Sequence, residues 1–399
     1  MNYKFKTTIY KYYILLLFER NMRFYLVMLF PAIIHSWSFF PITSFFWKNI
    51  GQKFRNPPQK KTYSLTEQTN FDLNWYVIGT STDYMYNVPY PITIWNKKYV
   101  LWKSTDNHFY GLDNTCPHKS ASLSCGHIEN NNIVCPYHGI HYNAEGSIVS
   151  IPGIANIPYS CNSSSIYSIA KYRVLEKNGW IYFNISPNPS NNIFNTFFIE
   201  DFPILLKKNK NEHMIFNQFE FDCYARLITE NYLDIMHFVS VNPILKTIFT
   251  SNFTEISPPK WIFDKTNFHA RTILELFPKE NAFFFKKGEK IVIENEFILP
   301  HTTILRIIYK NYTNTIITFA LPIQERKTKL FVKIHRNYYK DIFLCDFIIQ
   351  KIIMNICLQD IKIMNNIDFE RINGNFNLKI DKLPNVYRST YRKIIHNIL

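Results

Sequence analysis

Short runs of alternating apolar and polar residues dominate residues 62–190. The alternation is plain at Ile92–Trp95, Tyr99–Trp102 and Trp180–Asn184, and turns that contain Asn and Gly separate the runs. Because a period of two places successive side chains on opposite faces of a strand, this pattern is typical of β-strands. Residues 62–190 are therefore predicted to form an antiparallel β domain, which ends in the turn-rich segment 186–192.

The pattern changes within residues 194–399, where helical periods flank the strands. Residues 220–241 have a largely helical period, and residues 343–367 form a long apolar run that predicts a mostly buried helix. Four segments between them predict strands: Thr272–Phe277, Glu294–Leu299, Ile304–Tyr309 and Thr315–Ala320. This order predicts an α+β domain of the helix-grip class, in which a curved antiparallel sheet surrounds a helix.

Residues 1–61 form a basic N-terminal extension, with ten Lys and Arg against one Glu, a net charge of +9. Within the extension, Phe24–Trp47 has no charged side chain and is long enough to cross a hydrocarbon core. Aromatic residues crowd its far end, whereas Pro31 and Pro41 argue against one straight helix. Three interpretations stay open: a membrane anchor, a targeting segment or a soluble hydrophobic arm.

Composition and charge narrow the class of protein. A chain of 399 residues with 47% hydrophobic residues is long enough for two domains and an extension. Seven scattered Cys are too few for a disulfide scaffold, which favours a reducing compartment for the folded domains. Since the basic excess flanks the apolar segment, the net charge of +15 predicts membrane association through the N-terminal segment and no nucleic-acid partner.

Two short motifs each combine a cysteine with a histidine: Cys116-Pro117-His118 and, after sixteen residues, Cys135-Pro136-Tyr137-His138. Two thiolates and two imidazoles suit an asymmetric [2Fe–2S] cluster, in which Cys binds one iron and His binds the other. A zinc finger that separates its Cys pair from its His pair fits this order poorly. Another zinc arrangement would use the same four ligands and is the alternative. The predicted cluster ligands are Cys116, His118, Cys135 and His138.

These motifs and their flanks resemble the Rieske non-haem iron oxygenase family. The likeness extends to Trp75–Gly79, to the Leu-Ser-x-Gly of 123–126 and to Ile151–Gly153. Rieske proteins of respiratory complexes carry an additional Cys in each loop, where this chain has Ala121 and Tyr137. The resemblance therefore implies the oxygenase and ferredoxin branch, and an antiparallel β Rieske domain in front of the helix-grip domain.

The resemblance also implies a mononuclear, non-haem Fe(II) site in the second domain. In the family, an Asn, an Asp and a His are followed five residues later by a second His, and the two His and a distant carboxylate hold the iron. Asn231, Asp234 and His237 stand at the first three places, and Asp234 and His237 would share one helix face. Asp360 stands at the place of the carboxylate, but Asn242 occupies that of the second His.

The replaced histidine leaves three alternatives open. Asn242 is itself an unusual ligand, or another histidine such as His213 or His269 fills the vacancy, or the site binds iron poorly. Imidazole is a stronger ligand for Fe(II) than an amide oxygen. The choice between an enzyme and an electron-transfer protein depends on this position.

The function that the resemblance implies is an O₂-dependent monooxygenase or hydroxylase of a lipophilic ring substrate, with a reductase or ferredoxin as the electron donor. Pheophorbide, chlorophyllide and sterol Rieske oxygenases are the branches it is most similar to. The resemblance further implies a homotrimer in which Asp234 connects a cluster His of one subunit to an iron-ligand His of the next. The alternative is a Rieske electron-transfer or partner subunit, in a mixed trimer, with a degenerate mononuclear site.

Overall fold

The computed structural model describes the two predicted domains in part: residues 75–154, 167–177, 179–186, 213–234, 237, 253–256, 260–263, 269–278, 289–339, 342–369, 378 and 381–395. The N-terminal extension with its candidate membrane segment lies outside the described residues, and so does Asn242. Within these ranges, no helix combines the length and the apolar composition needed to cross a membrane. The predicted domain boundaries at residues 61, 190 and 194 also lie outside these ranges and stay predictions.

The N-terminal β region, residues 75–186, is built from short antiparallel strands. Their bounds are β1 Trp75–Thr80, β2 Tyr90–Ile94, β3 Lys97–Lys103, β4 Phe109–Asp113, β5 His127–Glu129, β6 Asn132–Val134, β7 His141–Tyr142, β8 Ile148–Ser150, β9 Lys171–Tyr172, β10 Val174–Lys177 and β11 Trp180–Asn184. Within the described ranges these strands form three sheets, with the orders β1–β11–β10, β2–β3–β4–β9 and β5–β6–β7–β8. The predicted antiparallel β fold of this region is confirmed.

Two tight hairpins in this region have the backbone of type I′ turns. Trp95 and Asn96 connect β2 to β3 with φ angles of 51° and 63°, and Asn130 and Asn131 connect β5 to β6 with 50° and 61°. Positive φ at both central residues matches the twist of the flanking strands, and Asn tolerates it better than most residues do. The run of three Asn at 130–132 thus forms the surface turn that its composition predicts.

The described part of the C-terminal α+β region, residues 213–395, contains one large antiparallel sheet and three helices whose two ends are both described. Its elements are β12 His213–Phe221, α1 Ala225–Leu233, β13 Phe253–Ile256, β14 Lys260–Phe263, β15 His269–Pro278, β16 Ile291–Ile298, β17 Thr302–Tyr309, β18 Tyr312–Gln324, β19 Lys327–Arg336, α2 Phe343–Met364 and α3 Lys382–Ile395. The sheet order is β12–β19–β18–β17–β16–β15–β13, and β14 also pairs with β15. The predicted strands coincide with β15 to β18, and α1 and α2 pack against this sheet, as the helix-grip prediction requires.

The helical prediction for residues 220–241 is wrong at its start and at Asp234, whereas His237 is helical and residues 238–241 lie outside the described ranges. Glu220 and Phe221 belong to β12, because they continue its ladder with β19 as far as Thr328. At the other end α1 stops at Leu233, and Asp234 has an extended backbone with φ −82° and ψ 107°. Asp234 and His237 therefore do not share a face of one continuous helix.

The prediction that the long helix is mostly buried is also wrong. Helix α2 buries one face, which includes Ile353, Cys357 and Asp360, against β12 and α1. A neighbouring stripe with Phe343 and Leu358 is exposed. Because apolar residues surround this helix on all sides, its sequence contains no periodic signal for the face that the sheet covers.

The two regions share a hydrophobic core. The Trp180 ring of β11 lies 5.1 Å from that of Phe319 and 6.1 Å from that of Phe331, between ring centroids. The β2–β3 turn also bonds to the large sheet, since the Trp95 N–H donates to the Pro322 carbonyl at 2.9 Å. Aromatic pairs at such distances stabilise a contact beyond the area they bury.

Candidate metal centres

The two predicted cluster loops have the same backbone hydrogen-bond pattern. In the β4–β5 loop, the Cys116 carbonyl accepts a hydrogen bond from the Ser120 N–H at 2.9 Å, and the Cys116 N–H donates to the Ala121 carbonyl at 2.9 Å. In the β6–β7 loop, Cys135 makes the same two bonds to the residues four and five positions later, at 3.0 and 2.9 Å. The two loops thus have the same backbone turn, a similarity that their sequences indicate only through the shared Cys and His.

The repeated turn points the cysteines inward and the histidines outward. Cys116 and Cys135 are each 1% exposed, within a core that also contains Leu123. His118 and His138 are exposed, and their ring centroids lie 4.6 Å apart. Two thiols therefore face one side of the gap between the loops and two imidazoles the other, which suits one iron with two sulfur ligands and a second with two nitrogen ligands.

A tyrosine that sequence reasoning missed contacts the buried end of this centre. The Tyr142 hydroxyl lies 3.3 Å from Cys116 Sγ. Burial, followed by the interaction with Cys116, raises the pKa of Tyr142, so this phenol stays protonated and can donate a hydrogen bond to the sulfur. The only signal in the sequence was a Tyr placed four residues after His138, which is too common a feature to be informative.

The thiol of Cys135 has the surroundings of a metal ligand. Burial raises the pKa of Cys135, and the Cys116 thiol adds to the rise, while the N–H groups of Tyr137 and His138 oppose it. A pair of buried thiolates is unfavourable without a cation, whereas a bound iron offsets both charges. The residues present therefore fit a [2Fe–2S] cluster.

Asn114 holds the first loop in shape and was also missed. Its side-chain oxygen accepts a hydrogen bond from the Ser124 N–H at 2.7 Å, and its side-chain amide donates to the Ser124 hydroxyl at 3.0 Å. Its backbone carbonyl accepts from the Leu123 N–H at 2.9 Å. Asn114 is 4% exposed. The sequence did not indicate that Asn114 holds the loop, because a polar residue two positions before a cysteine belongs to no repeating pattern.

The second candidate centre forms where helix α1 ends. The Asn295 side chain on β16 donates hydrogen bonds to the Leu233 carbonyl at 3.1 Å and to the Tyr232 carbonyl at 3.4 Å. These bonds satisfy carbonyls that lose their helical partners at a C-terminus. The chain then turns away, and the Asp234 carboxylate accepts a bond from the His237 N–H at 3.4 Å.

His237 and Asp360 meet at this point, although 123 positions separate them in the chain. His237 Nε2 lies 2.7 Å from Asp360 Oδ1, and the two side chains are 9% and 1% exposed. Asp360 Oδ2 is buried, and no hydrogen-bond donor reaches it among the described residues. A buried carboxylate oxygen without a donor is costly unless a cation binds there. This pair therefore fits a divalent metal.

Besides the Asp234 carboxylate, an amide and a neutral phenol lie near the pair. Asn231 Nδ2 lies 3.3 Å from His237 Nε2. Burial, and then the nearby Cys357 and Asp360, raise the pKa of Tyr232 well above its usual value, so that its phenol stays neutral. The structure thus brings together four of the predicted site residues: Asn231, Asp234, His237 and Asp360.

His269 does not fill the vacant ligand position. Its Nε2 lies 2.8 Å from Glu296 Oε2, so both side chains lie on the same face of the sheet. Asn295, the neighbour of Glu296, points towards α1, and adjacent residues of a strand point to opposite faces. His269 therefore lies on the sheet face away from α1 and His237.

The remaining two candidates for that position are not tested. His213 opens β12 opposite Arg336, and only its backbone is described. Asn242 lies outside the described residues, so its role as a ligand stays a prediction. Within the described ranges, no three His, Cys, Asp or Glu side chains converge to hold one ion.

Comparison with known proteins identifies the first centre. Residues 74–169 match the family model described as the Rieske [2Fe-2S] domain. An iron-sulfur subunit of a toluene-4-sulfonate monooxygenase system from Comamonas testosteroni, itself described as putative, is 30% identical over 187 residues, which cover 46% of this chain and 49% of that protein. The chloroplastic protein TIC 55 of Arabidopsis thaliana is 25% identical over 143 residues, which cover 35% and 26%.

Solved structures extend the likeness beyond that domain. Dicamba monooxygenase bound to dicamba aligns with a TM-score of 0.67 and 16% identity, over 82% of this chain and 98% of that one. NdmA of Pseudomonas putida with caffeine aligns with a TM-score of 0.65 and 17% identity, over 83% and 92%. The chain thus contains a Rieske domain that binds a [2Fe–2S] cluster and shares the two-part fold of these oxygenases. It spans about half the length of the curated relatives it matches.

Proposed function

We propose that this chain, which carries a Rieske [2Fe–2S] domain at residues 74–169, is the oxygenase component of an O₂-dependent monooxygenase or hydroxylase. The observation that carries the proposal is the buried pair of His237 and Asp360, with atoms 2.7 Å apart and a carboxylate oxygen that no described donor reaches. An electron carrier has no need of such a pair. When bound, the cluster supplies single electrons, and a non-haem Fe(II) supplies O₂ activation.

The residues of the Rieske domain have separable roles in this function. Cys116 and Cys135 would hold one iron of the cluster as thiolates, and the Tyr142 hydroxyl can donate a hydrogen bond to the Cys116 sulfur. His118 and His138 would hold the other iron, and their exposed rings would form the edge that a donor protein reaches. Because the described hydrogen-bond partners of the two cysteines lie in the two loops and in β7, within the N-terminal β region, the cluster should bind without the second site.

In the catalytic domain, His237 and Asp360 would hold the Fe(II), and Asp234 orients His237 through its backbone N–H. The surrounding burial excludes water, since Asp360 is 1% exposed and the Tyr232 side chain beside it is 6% exposed. A dry site strengthens the electrostatic interactions within it and prevents side reactions.

The apolar character of the sheet face that bonds to the end of α1 supports a lipophilic ring substrate. Ile291 and Ile293 share a face of β16 with Asn295, the residue that bonds to the end of α1. Leu274 and Leu305 of the adjacent strands pack against them. Apolar walls with few polar groups are typical of small-molecule sites. The names of matched relatives include monooxygenases of toluene-4-sulfonate and of 3-ketosteroids.

The electron donor and the assembly are part of the same proposal. A reductase or ferredoxin would dock at the exposed edge of His118 and His138, and the chain would work as a homotrimer or mixed trimer. Asp234 is half-buried and its carboxylate accepts a hydrogen bond from the His237 N–H, and the family resemblance implies that it connects His237 to a cluster histidine of a neighbouring subunit. Changing Asp234 to Ala should then leave both metals bound but slow the transfer of electrons between subunits.

A membrane-associated location is proposed on the composition of the N-terminal extension alone. If Phe24–Trp47 inserts into a bilayer, the full chain should sediment with membranes at high salt and in alkaline carbonate, because salt screens charge attraction but not apolar insertion. A variant that begins near residue 62 should be soluble and retain its cluster. Release of the full chain by salt alone would contradict the anchor.

The decisive test of the function is metal content together with turnover. Anaerobically purified protein should contain about three Fe and two acid-labile sulfides per chain after addition of Fe(II). It should consume O₂ with a generic ferredoxin–reductase pair when a sterol, terpenoid or chlorophyll-like ring compound is present. If the iron content stays at two Fe per chain after Fe(II) is added, the second candidate function, an electron-transfer subunit, is favoured. The Asn242 at the expected place of a ligand His supports that candidate.

A further inference from the structure

The family pattern expects a histidine ligand at position 242, where this chain has Asn outside the described residues, and a polar group within the described residues already lies next to the pair. Asn231 is in the last turn of α1, and its side-chain amide lies 3.3 Å from His237 Nε2. The same Nε2 lies 2.7 Å from Asp360 Oδ1. One imidazole nitrogen is thus the common neighbour of a carboxylate and an amide.

These two distances match the spacing of ligands around one octahedral metal ion. Ligand atoms about 2.1 Å from a divalent metal and at right angles to each other lie about 3.0 Å apart. The observed 2.7 and 3.3 Å fall on either side of this value. A rotation of the Asn231 amide by 180° exchanges Nδ2 and Oδ1 without moving other atoms, and it presents the carbonyl oxygen, which is the atom that binds metals.

The position of Asn231 is fixed by its helix. Tyr232 and Leu233, the next two residues, are buried at 6% and 1% exposure, and their carbonyls accept hydrogen bonds from Asn295. The Asn231 carbonyl accepts a bond from the Asp234 N–H at 3.3 Å. The end of α1 is therefore held to the sheet, and the Asn231 side chain starts from a rigid backbone.

We propose that the side-chain oxygen of Asn231 is the third protein ligand of the mononuclear metal, together with His237 and Asp360. This inference rests on the proposed function, because it assumes that the second centre binds a metal. It assigns to Asn231 the role that the sequence pattern assigns to the residue at position 242. A site with one imidazole, one carboxylate and one amide favours a hard divalent ion such as Fe(II) or Mn(II), and it binds that ion more weakly than two imidazoles and a carboxylate would.

The test is an Fe(II) titration of the full-length, cluster-containing protein under anaerobic conditions. Wild type is compared with Asn231→Ala, Asn231→Asp and Asn242→Ala, by iron content after equilibrium dialysis and by the paramagnetic signal that nitric oxide produces at mononuclear Fe(II). The oxidised cluster is diamagnetic and does not interfere. Visible absorption of the cluster and the melting temperature confirm that each variant is folded.

We expect Asn231→Ala to weaken Fe(II) binding at least tenfold and Asn242→Ala to change it less than threefold. Asn231→Asp should bind at least as tightly as wild type, because a carboxylate oxygen replaces an amide oxygen at the same place, and it should shift the nitric oxide signal. A structural role for Asn231 would not produce that shift with a retained melting temperature.

Two outcomes would overturn the ligand assignment, and they differ in what they imply for the proposed function. If Asn242→Ala abolishes binding while Asn231→Ala does not, residue 242 is the ligand and the proposed function stands. If wild type with an intact cluster takes up no further iron at any concentration tested, both the ligand assignment and the oxygenase function are wrong.

Discussion

The two metal centres of this chain are assembled in different ways. The cluster centre would take its four ligands from two loops of one β region, and each loop closes with the same pair of backbone hydrogen bonds. The proposed mononuclear centre would take His237 from a segment after α1 and Asp360 from α2, 123 positions later. The first depends on local turns and the second on the packing of two helices against a sheet.

This difference determines how each centre tolerates change. A local turn forms from short-range contacts, so the cluster loops can keep their form when distant parts of the chain vary. The mononuclear site requires α1, α2 and β16 to hold their relative positions, and a displacement of 1 Å in any of them misplaces a ligand. The chain accordingly retains all four expected cluster ligands but departs from the family pattern at Asn242.

The largest expected effect comes from removing a cluster thiolate. Cys135→Ala should abolish the visible absorption of the cluster, because one iron would lose half of its protein ligands. The measurement is the absorption spectrum and the iron and sulfide content of the purified protein. Cys125→Ala is the matched control, since Cys125 is exposed and lies outside the motif, and its spectrum should not change. A Cys135→Ala protein with full absorption would show that the ligand assignment is wrong.

Removing the carboxylate of the other centre should leave the cluster unaffected. Asp360→Ala should weaken Fe(II) binding at the mononuclear site more than about 100-fold, since loss of a direct ligand exceeds the effect of losing a supporting hydrogen bond. Iron content should fall from about three to two per chain while the cluster spectrum is retained. Asp368→Ala, a variant at an exposed position just after α2, serves as the control. Loss of the cluster in Asp360→Ala would show that the centres are not independent.

The sequence predicted more of the local centre than of the distributed one. The spacing of Cys and His was sufficient for the cluster because ligands and turns lie within the same short segments. The strands β15 to β18 were predictable for the same reason, since alternation is a local signal. The pairing of His237 with Asp360 was expected from the family resemblance and not from any pattern in this chain.

Predictions that required knowledge of tertiary packing were the ones that failed. The end of α1 at Leu233 depends on Asn295, which lies 62 positions later, and the ladder that keeps Phe221 in a strand depends on Thr328. Neither partner can be recognised from the residues near the helix. The same holds for Tyr142, because its role depends on Cys116 in the other loop.

Restoring the family residue should strengthen the weaker centre. Asn242→His would add an imidazole where the pattern expects one, and we expect Fe(II) to bind about tenfold more tightly, as imidazole suits this metal better than an amide does. The measurement is the dissociation constant from anaerobic equilibrium dialysis. Asn242→Gln is the control, because it keeps an amide and should not tighten binding. Unchanged affinity in Asn242→His would place residue 242 away from the metal.

The smallest expected effect concerns the tuning of the cluster. Tyr142→Phe removes the hydroxyl that lies 3.3 Å from Cys116 Sγ. A hydrogen bond to a sulfur ligand stabilises the reduced cluster, which carries one more negative charge, so its loss should lower the reduction potential. A net hydrogen-bond energy of about 0.5–1.5 kcal/mol corresponds to about 20–60 mV for one electron. Because the pKa of Tyr142 is raised, the phenol remains a donor and the difference between the two proteins should persist through moderately alkaline pH.

Tyr137→Phe is the matched control, since Tyr137 is exposed and contacts His138 through its ring, with centroids 3.9 Å apart. Protein-film voltammetry measures both potentials, and a shift in Tyr137→Phe as large as that in Tyr142→Phe would contradict this assignment.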